Sequence, residues 1–489
     1  MKKSCLVIGS GVAGLSAAVH LSHHGWDVTV AEKNDQPGGR ARQIKKEGYT
    51  FDMGPSWYWM PDVFENFFNT YNKKVSDYYS LTRLDPSYKI FFEDNSEWDI
   101  NADFKLLLQQ FESIESGSAD KLKKFLKDAE IKYKIGMQEM VYKPGNSMLE
   151  LLDKRILLQI FKLNLFSSIS SVIRNNFSDT KIRRLLEFPV LFLGAKPQNT
   201  PALYSLMNYA DINLGTWYPE GGMYSVVKAM YQLAREKGVT FRFNSEVKKF
   251  SYHDRTISGA FINNGYETFD YVIAASDYHH VEQNILEQQF RTYSPAYWEN
   301  KKLAPSSLIF YLGINKKLKG LQHHNLFFDK SFDVHAREIY DKPSWPSNPL
   351  FYVCAPGNTD ATVAPGGCEN LFILIPVAPG LQDTEEIKEE YFKKIIFRIE
   401  EKIKEKFKEN IQVKISYAHS NFITDYYSYK GNAYGLANTL SQTAFLKPKI
   451  RSKKIKNLFY AGQLTVPGPG LPPSIISGQL AANEVLKTN

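Results

Sequence analysis

The sequence predicts an α/β protein in which a Rossmann-like dinucleotide-binding domain accompanies a second domain with a mixed sheet. The chain has 489 residues, more than one hydrophobic core usually holds, so two or three lobes are expected. The N-terminal stretch through Lys33 follows the order strand, glycine turn, helix and second strand. The C-terminal stretch from Leu458 reads as a strand, a Pro/Gly loop and a helix, which would complete the same domain.

The N-terminal glycine turn has the spacing of a nucleotide-binding fingerprint. Gly9, Gly11 and Gly14 occupy the three glycine positions of GxGxxG after the apolar strand "CLVI". The first glycine permits the tight turn, the second lets the backbone approach a pyrophosphate, and the third brings helix and strand together. Val12 and Ala13 open the helix, whose free N–H groups and dipole favour phosphate. The turn therefore predicts a dinucleotide site.

A carboxylate and a second glycine pair distinguish between possible cofactors. Glu32, followed by Lys33, ends the second strand, where an acid accepts the ribose hydroxyls and disfavours the 2′-phosphate of NADP. "PGGRA" then supplies Gly39, Arg40 and Ala41, so the backbone can approach again beside a fixed cation. This pattern resembles the GGR extension of the flavin amine-oxidase-like superfamily, and it favours FAD over NAD.

Two later segments are expected to return to the cofactor. "YPEGGMYSVV" precedes an amphipathic helix ended by Gly238, and the strand "VTFRFNSEV" then ends at Val247, where such folds contact adenine through the backbone. "ISGAFINNG" and the buried strand before Asp277 suggest a β-meander. A helix is predicted from about Ser474, with Pro473 in its first turn and free N–H groups for the flavin. The C-terminal residues expected to bind FAD are Gly462, Gln463, Gly470, Leu471, Pro472 and Ile475.

Composition excludes several functional classes. The net charge is +8, but the basic clusters resemble solvated faces or a surface for anionic lipid, and no nucleic-acid-binding module is present. Cys5, Cys354 and Cys368 have no metal-ligand spacing, which fits a reducing compartment. No signal peptide and no apolar run of about 20 residues is visible. We expect a cytoplasmic protein with, at most, peripheral membrane contact.

The remaining segments predict a substrate domain. "SSLIFYLGIN" and "ENLFILIPVAP" are predicted to be strands of a sheet that forms the floor of a substrate cavity. Residues 385–403 have the apolar spacing of an amphipathic helix, with Asp383 and Glu386 as a capping box. Residues 148–177 read as one or two amphipathic helices, either buried in this domain or contacting a membrane.

Together these segments resemble bacterial carotenoid desaturases of the phytoene desaturase type. The resemblance rests on "GSGVAGLSAA", "EKNDQPGGRA", "WYPEGGMYSVV", "HHNLFF", "PGNTDATVAPGG" and "GQLTVPGPGLPPSIISG", in the family's order, and "GPSWYWMPDVFENFF" is similar to the flavobacterial branch. It implies a Rossmann-like FAD-binding domain of the GR2 type, a mixed-sheet substrate domain and a helical membrane-facing subdomain. The expected bounds are 1–80, 216–290 and 421–489 for the FAD-binding domain, 81–215 for the helical part and 291–420 for the sheet.

The same resemblance gives the stretch after the GGR loop a role. It implies that Gly54, Pro55 and Ser56 lie beside the flavin. Trp57, Tyr58 and Trp59 would then line a tunnel for a linear polyene, which offers no hydrogen-bonding groups, although simple core packing is the alternative. Relatives often carry an acid where this chain has Gln463, whose amide can still form a hydrogen bond without the charge.

The resemblance implies FAD-dependent desaturation of a phytoene-like or 1-hydroxylated carotenoid, by hydride transfer from an allylic CH2–CH2 unit to flavin N5. The acceptor would be a quinone, O2 or another oxidant. No residue is singled out as a catalytic base, and the oligomeric state stays open. The pairs His23–His24, His279–His280 and His323–His324 show no metal pattern, so no metal is expected. A carotenoid isomerase or polyene saturase, and a non-enzymatic prenyl carrier on the same fold, are the alternatives.

Overall fold

A computed structural model describes residues 2–147, 167–194, 196–439 and 442–488. Across those ranges, no helix combines the length and apolar character needed to cross a membrane. Strands and the α-helices of five or more residues are numbered in chain order. The helices are α1 (Val12–His23), α2 (Pro61–Asn69), α3 (Phe104–Ile114), α4 (Ser118–Ile135), α5 (Ile169–Asn176), α6 (Thr180–Glu187), α7 (Tyr224–Glu236), α8 (Pro295–Glu299), α9 (Phe332–Tyr340), α10 (Glu385–Ile403), α11 (His419–Tyr426) and α12 (Leu471–Leu486).

A five-stranded parallel sheet forms the dinucleotide-binding half. Its members, in spatial order, are β19 (Leu458–Tyr460), β13 (Tyr271–Ala274), β1 (Ser4–Ile8), β2 (Asp27–Ala31) and β9 (Thr240–Arg242). Side chains alternate between its faces: Cys5 and Val7 pack with helices α1, α7 and α12, whereas Leu6 and Ile8 pack against the opposite layer. Because both faces are covered, the central strands read as continuous apolar runs.

The opposite layer is a three-stranded antiparallel meander of β10 (Val247–His253), β11 (Thr256–Ile262) and β12 (Gly265–Glu267). Its first strand corrects the sequence analysis. The single strand predicted to end at Val247 is divided in two, with β9 in the parallel sheet and β10 in the meander. The chain bends between them, where Asn244 has a left-handed φ of 51°. The bend places Val247 at the start of a strand.

A seven-stranded mixed sheet forms the second half, in agreement with the predicted fold class. Its members, in spatial order, are β18 (Ile411–Tyr417), β14 (Ser306–Ile314), β17 (Glu369–Val377), β16 (Phe351–Cys354), β15 (His324–Phe328), β6 (Tyr88–Phe92) and β7 (Glu97–Ile100). β15 and β6 are parallel, and the other neighbours are antiparallel. Two-stranded ladders join β3 (Gln43–Lys46) to β4 (Tyr49–Asp52) and β5 (Leu81–Arg83) to β8 (Trp217–Pro219).

The mixed sheet packs α10 on one face and lines a cavity with the other. Tyr391, Ile395 and Ile399 are buried against the sheet, as the helical spacing predicts. The helix cap differs from the prediction, because the Thr384 side chain accepts the Ile387 N–H (3.3 Å). Asp383 instead accepts hydrogen bonds from Ser420. The sequence analysis therefore placed the helix cap one residue too early, at Asp383 instead of Thr384.

Residues 148–166, which include most of the predicted amphipathic segment, lie outside the described residues. Its described part contains α5, in which Ile169 and Ile173 are buried. The basic cluster after residue 446 is a solvated face over most of its length, since Arg451, Lys453, Lys454 and Lys456 are exposed, but it differs at its start. Its first lysine, Lys447, is only 2% exposed.

Candidate functional site

One cavity of about 490 Å³ extends from the dinucleotide-binding half to the mixed sheet. Gly11 and Glu32 line one end, whereas Ile309, Leu326 and Leu374 line the other. The predicted residues that line it are Gly9, Gly11, Val12, Ala13, Glu32, Lys33, Gly39, Arg40, Ala41, Gly54, Pro55, Ser56, Trp57, Trp59, Val247, Gly462, Gln463, Gly470, Leu471 and Pro472. Segments from both chain ends and the middle thus converge on one space.

The glycine turn leaves open space at the N-terminus of α1. A Cβ atom at Gly11 would meet nothing within 4 Å, whereas one at Gly14 would lie 2.0 Å from the Gly9 carbonyl oxygen. Gly14 therefore serves helix packing and does not line the cavity. Helix α1 has neither a capping side chain nor an acid in its first turn, so its positive end is uncompensated. The site fits a pyrophosphate group.

Glu32 is fixed where a ribose would bind. Its Oε2 atom accepts hydrogen bonds from Ser10 N (2.8 Å) and Ser10 Oγ (2.9 Å), and Oε1 accepts from Asn34 N (2.9 Å). The side chain is 5% exposed. Asn34 Nδ2 also donates to Oε1 (3.0 Å), so each carboxylate oxygen already accepts two hydrogen bonds, and a ribose hydroxyl would bind in exchange for one of these donors.

Arg40 supplies a buried cation between the two glycine motifs. A Cβ atom at Gly39 would lie 3.2 Å from Gly11 Cα, so the loop before Arg40 packs directly on the first motif. The guanidinium donates through Nη2 to Ser428 Oγ (2.5 Å), and Nε has no hydrogen-bond partner in the described residues. Burial lowers the pKa of Arg40, and the Asp277 charge opposes that shift. A buried donor left over at the cavity fits a phosphate or a flavin carbonyl.

The C-terminal loop reaches the cavity largely as predicted, with two differences. Helix α12 begins at Leu471 rather than about Ser474, with its prolines in the first turn. Ile475 does not line the cavity. It is 1% exposed, and its carbonyl oxygen accepts from Ser16 Oγ (2.6 Å) on α1. With its amide oxygen turned toward Arg40, Gln463 accepts from Nη2 (2.9 Å). The amide thus contacts Arg40 where relatives often carry an acid.

A short segment at the end of α11, residues 424–428, lies across the dinucleotide end of the cavity, and we call it the strap. Its contacts are Lys33 Nζ to Thr424 O (2.6 Å), Asn34 Nδ2 to Asp425 O (3.4 Å), Arg42 Nη2 to Asp425 Oδ2 (2.6 Å), Tyr427 Oη to Glu246 Oε1 (2.5 Å) and Arg40 Nη2 to Ser428 Oγ (2.5 Å). The His280 ring stacks on Tyr427 with centroids 4.0 Å apart. The sequence analysis missed the strap, because no local motif links it to residues almost 400 positions earlier.

The three aromatic residues after Ser56 separate into two groups. Trp57 and Trp59 line the cavity. Tyr58 does not, because its ring is fully buried, stacks on Phe64 with centroids 4.3 Å apart, and its hydroxyl lies 2.9 Å from Tyr79 Oη. Tyr58 therefore packs in the core, whereas the two tryptophans line the cavity.

The far wall of the cavity is built from residues to which the sequence analysis gave no role in the site, although Leu326 and Phe328 lie in the quoted stretch "HHNLFF". Its apolar and aromatic members include Phe188, Leu326, Phe328, Phe332, Ile339 and Tyr352. His335 also lines this wall. Its Nε2 atom donates to the Pro376 carbonyl oxygen (2.9 Å), and its Nδ1 atom accepts the Leu350 N–H (3.0 Å). These residues come from separate helices and strands, so only the fold brings them together.

The histidine pairs differ in their surroundings. His279 and His280 stack on strap-side tyrosines. His323 and His324 lie at β15, with Cys354 paired across on β16, and ligand atoms of these three residues fall within 4.8 Å of one another. The Nε2 atoms of both histidines have no hydrogen-bond partner in the described residues. Each of the two rings therefore forms a hydrogen bond through Nδ1 and none through Nε2 among the described residues.

Comparisons with known proteins find a family model and relatives that match almost the whole chain. A family model described as flavin containing amine oxidoreductase matches residues 12–486. The chain is 38% identical over 482 residues to a carotenoid 3,4-desaturase of Haloarcula japonica, covering 98% of this chain and 97% of that protein. It is 31% identical over 494 residues to a 4,4′-diapophytoene desaturase of Staphylococcus haemolyticus, covering 98% of each chain. A zeta-carotene-forming phytoene desaturase of Myxococcus xanthus is 29% identical over 485 residues, with 98% and 93% covered.

Solved structures show the same fold at much lower identity. An oxidoreductase from Methanosarcina mazei aligns with a TM-score of 0.62 and 17% identity, covering 99% of this chain and 100% of that chain. Cyclohexylamine oxidase from Brevibacterium oxydans aligns with a TM-score of 0.58 and 13% identity, covering 100% and 99%. These likenesses confirm the architecture of a parallel sheet joined to a mixed sheet.

Proposed function

Because the chain belongs to the flavin containing amine oxidoreductase family, we propose that it is an FAD-dependent carotenoid desaturase. The family confirms the predicted flavin. The observation that carries the proposal is the single cavity, which has a dinucleotide cradle at one end and an apolar, aromatic wall at the other. A small polar substrate would leave that wall without partners, whereas an apolar polyene fills it.

The substrate class follows from the wall and from the relatives. Carotenoid and phytoene desaturases are similar over almost the whole chain, which supports an apolar carotenoid as substrate. We assign it to phytoene-like or 1-hydroxylated carotenoids, acyclic or monocyclic. The reaction removes two hydrogens from a CH2–CH2 unit next to an alkene.

The protein's contribution is to position the chain and exclude water. When bound, oxidised FAD supplies a hydride acceptor at N5. Trp57 and Trp59 hold the polyene against that end of the cavity through face and edge contacts. Arg40 and the first turn of α12 hold N–H donors there, which stabilise negative charge. The apolar wall disfavours water around the carbon chain, and most of the rate enhancement comes from positioning.

An anaerobic assay of the FAD-loaded protein tests the proposal. Phytoene and, separately, a 1-hydroxylated carotenoid are supplied in liposomes, and the flavin band and polyene absorption are followed together. Flavin bleaching with a red-shifted product is the expected result. Turnover only after the flavin is reduced, with a change in alkene geometry or saturation, assigns an isomerase or saturase. A colourless protein that cannot be reconstituted with FAD assigns a carrier. Adding a quinone or O2 afterwards identifies the acceptor that restores the flavin band.

We also propose peripheral contact with the cytoplasmic membrane near residues 142–146 and 445–449. Tyr142 and Leu446 are 38% and 41% exposed. Lys449 Nζ donates to both Gly145 O and Phe445 O at 2.6 Å, which brings the two segments together. Exposed apolar side chains beside basic residues suit an anionic lipid surface.

Flotation with vesicles containing anionic lipid checks this contact. Replacing Tyr142 and Leu446 together by serine is expected to reduce binding, whereas Phe397→Ser, at a residue 61% exposed on α10, is the matched control. Equal flotation of both variants would place the contact elsewhere.

A further inference from the structure

Desaturation releases a proton inside the apolar part of the cavity, and the charged groups that line the cavity lie at the other end. This inference rests on the proposed function. The lining carboxylates Glu32, Glu246 and Asp425 belong to the ribose and strap region, and Asp277 lies beside Arg40. His335 lines the apolar wall, but both its ring nitrogens are engaged by backbone groups, so it has no free position for a proton.

Tyr352 lines the cavity and contacts the imidazole of His324, which has one ring nitrogen without a hydrogen-bond partner in the described residues. Its hydroxyl lies 2.6 Å from His324 Nδ1, and it also interacts with Ser56, in the stretch expected to pass the flavin. The His324 ring is held in place by Trp57, stacked at 4.0 Å with planes 15° apart. His324 is fully buried, and its Nε2 has no hydrogen-bond partner in the described residues.

A second imidazole continues this line to the surface. The rings of His324 and His323 lie 4.5 Å apart at 75°. His323 Nε2 likewise lacks a partner in the described residues, while its Nδ1 is 2.8 Å from Oγ1 of the exposed Thr359. A small cavity of about 20 Å³ adjoins His323, which is room for one water molecule.

We propose that Tyr352 is the catalytic proton acceptor and that His324, His323 and Thr359 carry the proton from it to solvent. The starting tautomers have hydrogen on Nε2 of His324 and Nδ1 of His323. Tyr352 Oη–H then donates to His324 Nδ1. The two histidines are positioning residues that act through Tyr352. Burial lowers the pKa of His324 well below its usual value and that of His323 to about 3, so both rings are neutral near pH 7.

The step balances without a further reagent. One CH2 group would lose two electrons and one hydrogen nucleus as hydride to the oxidised flavin that the proposed function requires, which would leave an allylic cation. The C–H bond of the adjacent carbon then breaks, its electron pair forms the new alkene, and its proton passes to Tyr352 Oη as the hydroxyl proton moves to His324 Nδ1. The two Nε2 atoms share no direct hydrogen bond, so one water molecule between them carries the proton from His324 Nε2 to His323 Nε2, and His323 releases its Nδ1 proton through Thr359. A carbocation is acidic enough for these weak bases to accept its proton.

Anaerobic single turnover of Tyr352→Phe tests the relay, because this change removes one oxygen and keeps the ring. Flavin bleaching reports hydride loss, and polyene absorption reports proton loss. In the variant we expect polyene formation to lag bleaching by about 10²-fold, which is the lower end of what a positioned acid–base group contributes. In the wild type the two signals coincide, because proton loss follows hydride loss at once. Thr359→Val, at the outer end, should also produce a lag while leaving the cavity wall intact.

Tyr434→Phe is the matched control, because Tyr434 lines the same cavity but interacts with Ser307 rather than an imidazole. Its two signals should stay in step. Coincident signals in Tyr352→Phe, or an equal lag in Tyr434→Phe, would overturn the relay. Stoichiometric zinc or copper in the purified wild type would overturn it too, because a metal held by His323, His324 and Cys354 occupies the nitrogens. A wild type that forms no polyene refutes the proposed function and the relay together, which distinguishes that failure from the others.

Discussion

Glu32 offers the most direct test, at the scale of a single residue, of where the dinucleotide binds. Replacing it with alanine removes the carboxylate that Ser10 and Asn34 hold in place. A hydrogen bond to a charged group contributes about 1.5 to 3 kcal/mol, so the Kd for FAD is expected to rise about 10- to 100-fold. Fluorescence titration of the apoprotein measures it. Glu220→Ala, at an exposed acid outside the cavity, is the control, and equal affinities would show that the ribose lies elsewhere.

Trp57 and Tyr58 are neighbours in the chain with opposite surroundings, which makes them a matched pair. Trp57→Ala should lower kcat/KM by about tenfold or more, equivalent to ~1.4 kcal/mol of lost transition-state stabilisation, with little change in FAD content. Tyr58→Phe removes only the hydroxyl contact with Tyr79 and should keep activity. Steady-state turnover and the flavin-to-protein absorbance ratio give both quantities. Unchanged kcat/KM in Trp57→Ala would show that Trp57 contributes to core packing and does not contact the substrate.

Lys447 links stability to pH through burial alone. Its Nζ atom donates to Pro467 O (2.9 Å), and burial lowers its pKa to about 7. The unfolded chain keeps this proton up to about pH 10.4 and so binds more protons above pH 7. The free energy of unfolding should therefore rise with pH between about 7 and 10, by at most ~1.4 kcal/mol per pH unit.

Chemical denaturation of Lys447→Met checks that slope. Methionine keeps the apolar stem without the charge, so this variant should be more stable at pH 7 and lose the added pH dependence. The exposed Lys456→Met is the control and should keep the wild-type slope. Equal slopes of unfolding free energy against pH in the wild type and both variants would show that Lys447 does not cause the pH dependence.

At the scale of elements, the strap is expected to control how long the cofactor stays bound. Asp425→Asn keeps the shape of the side chain but removes the charge that pairs with Arg42. A partly exposed ion pair is worth up to about 1 kcal/mol, so FAD should dissociate about fivefold faster. Dilution into excess unlabelled FAD, after loading with a fluorescent analogue, measures this rate. Glu389→Gln breaks the more exposed ion pair with Lys414 and serves as the control. Similar FAD dissociation rates in the two variants would show that the strap does not control FAD release.

The elements also show which features the sequence could predict. Gly9, Gly11, Glu32 and the first strands form a contiguous unit, so spacing alone was sufficient there. The long strands β14 and β17 and helix α10 were equally readable from periodicity. The strap, the pairing of His324 with Cys354 and the burial of Tyr58 depend on contacts between distant segments. Hydrophobic pattern gives no information on which of two neighbouring aromatic rings meets a cavity.

At the scale of the whole molecule, FAD should stabilise the protein by joining three separated chain segments. A ligand that binds only the native state adds about 2.7 kcal/mol at 100 times its Kd. Thermal unfolding across an FAD titration should therefore show a rising Tm, reported by far-UV circular dichroism. Riboflavin, which lacks the pyrophosphate and adenosine, is the control and should raise Tm much less. Equal shifts from both would mean that the glycine turn and Glu32 contribute little.

The parallel sheet has a consequence for synthesis of the protein. Its outer strand β19 follows β13 by more than 180 residues, and α12 comes after it near the end of the chain. A ribosome therefore exposes β1, β2 and α1 long before the elements that cover them are made. The nascent chain cannot retain cofactor until β19 and α12 have been made. Acquisition of the yellow flavin colour thus reports a polypeptide that includes both elements, and chains terminated before them remain colourless and open to proteolysis.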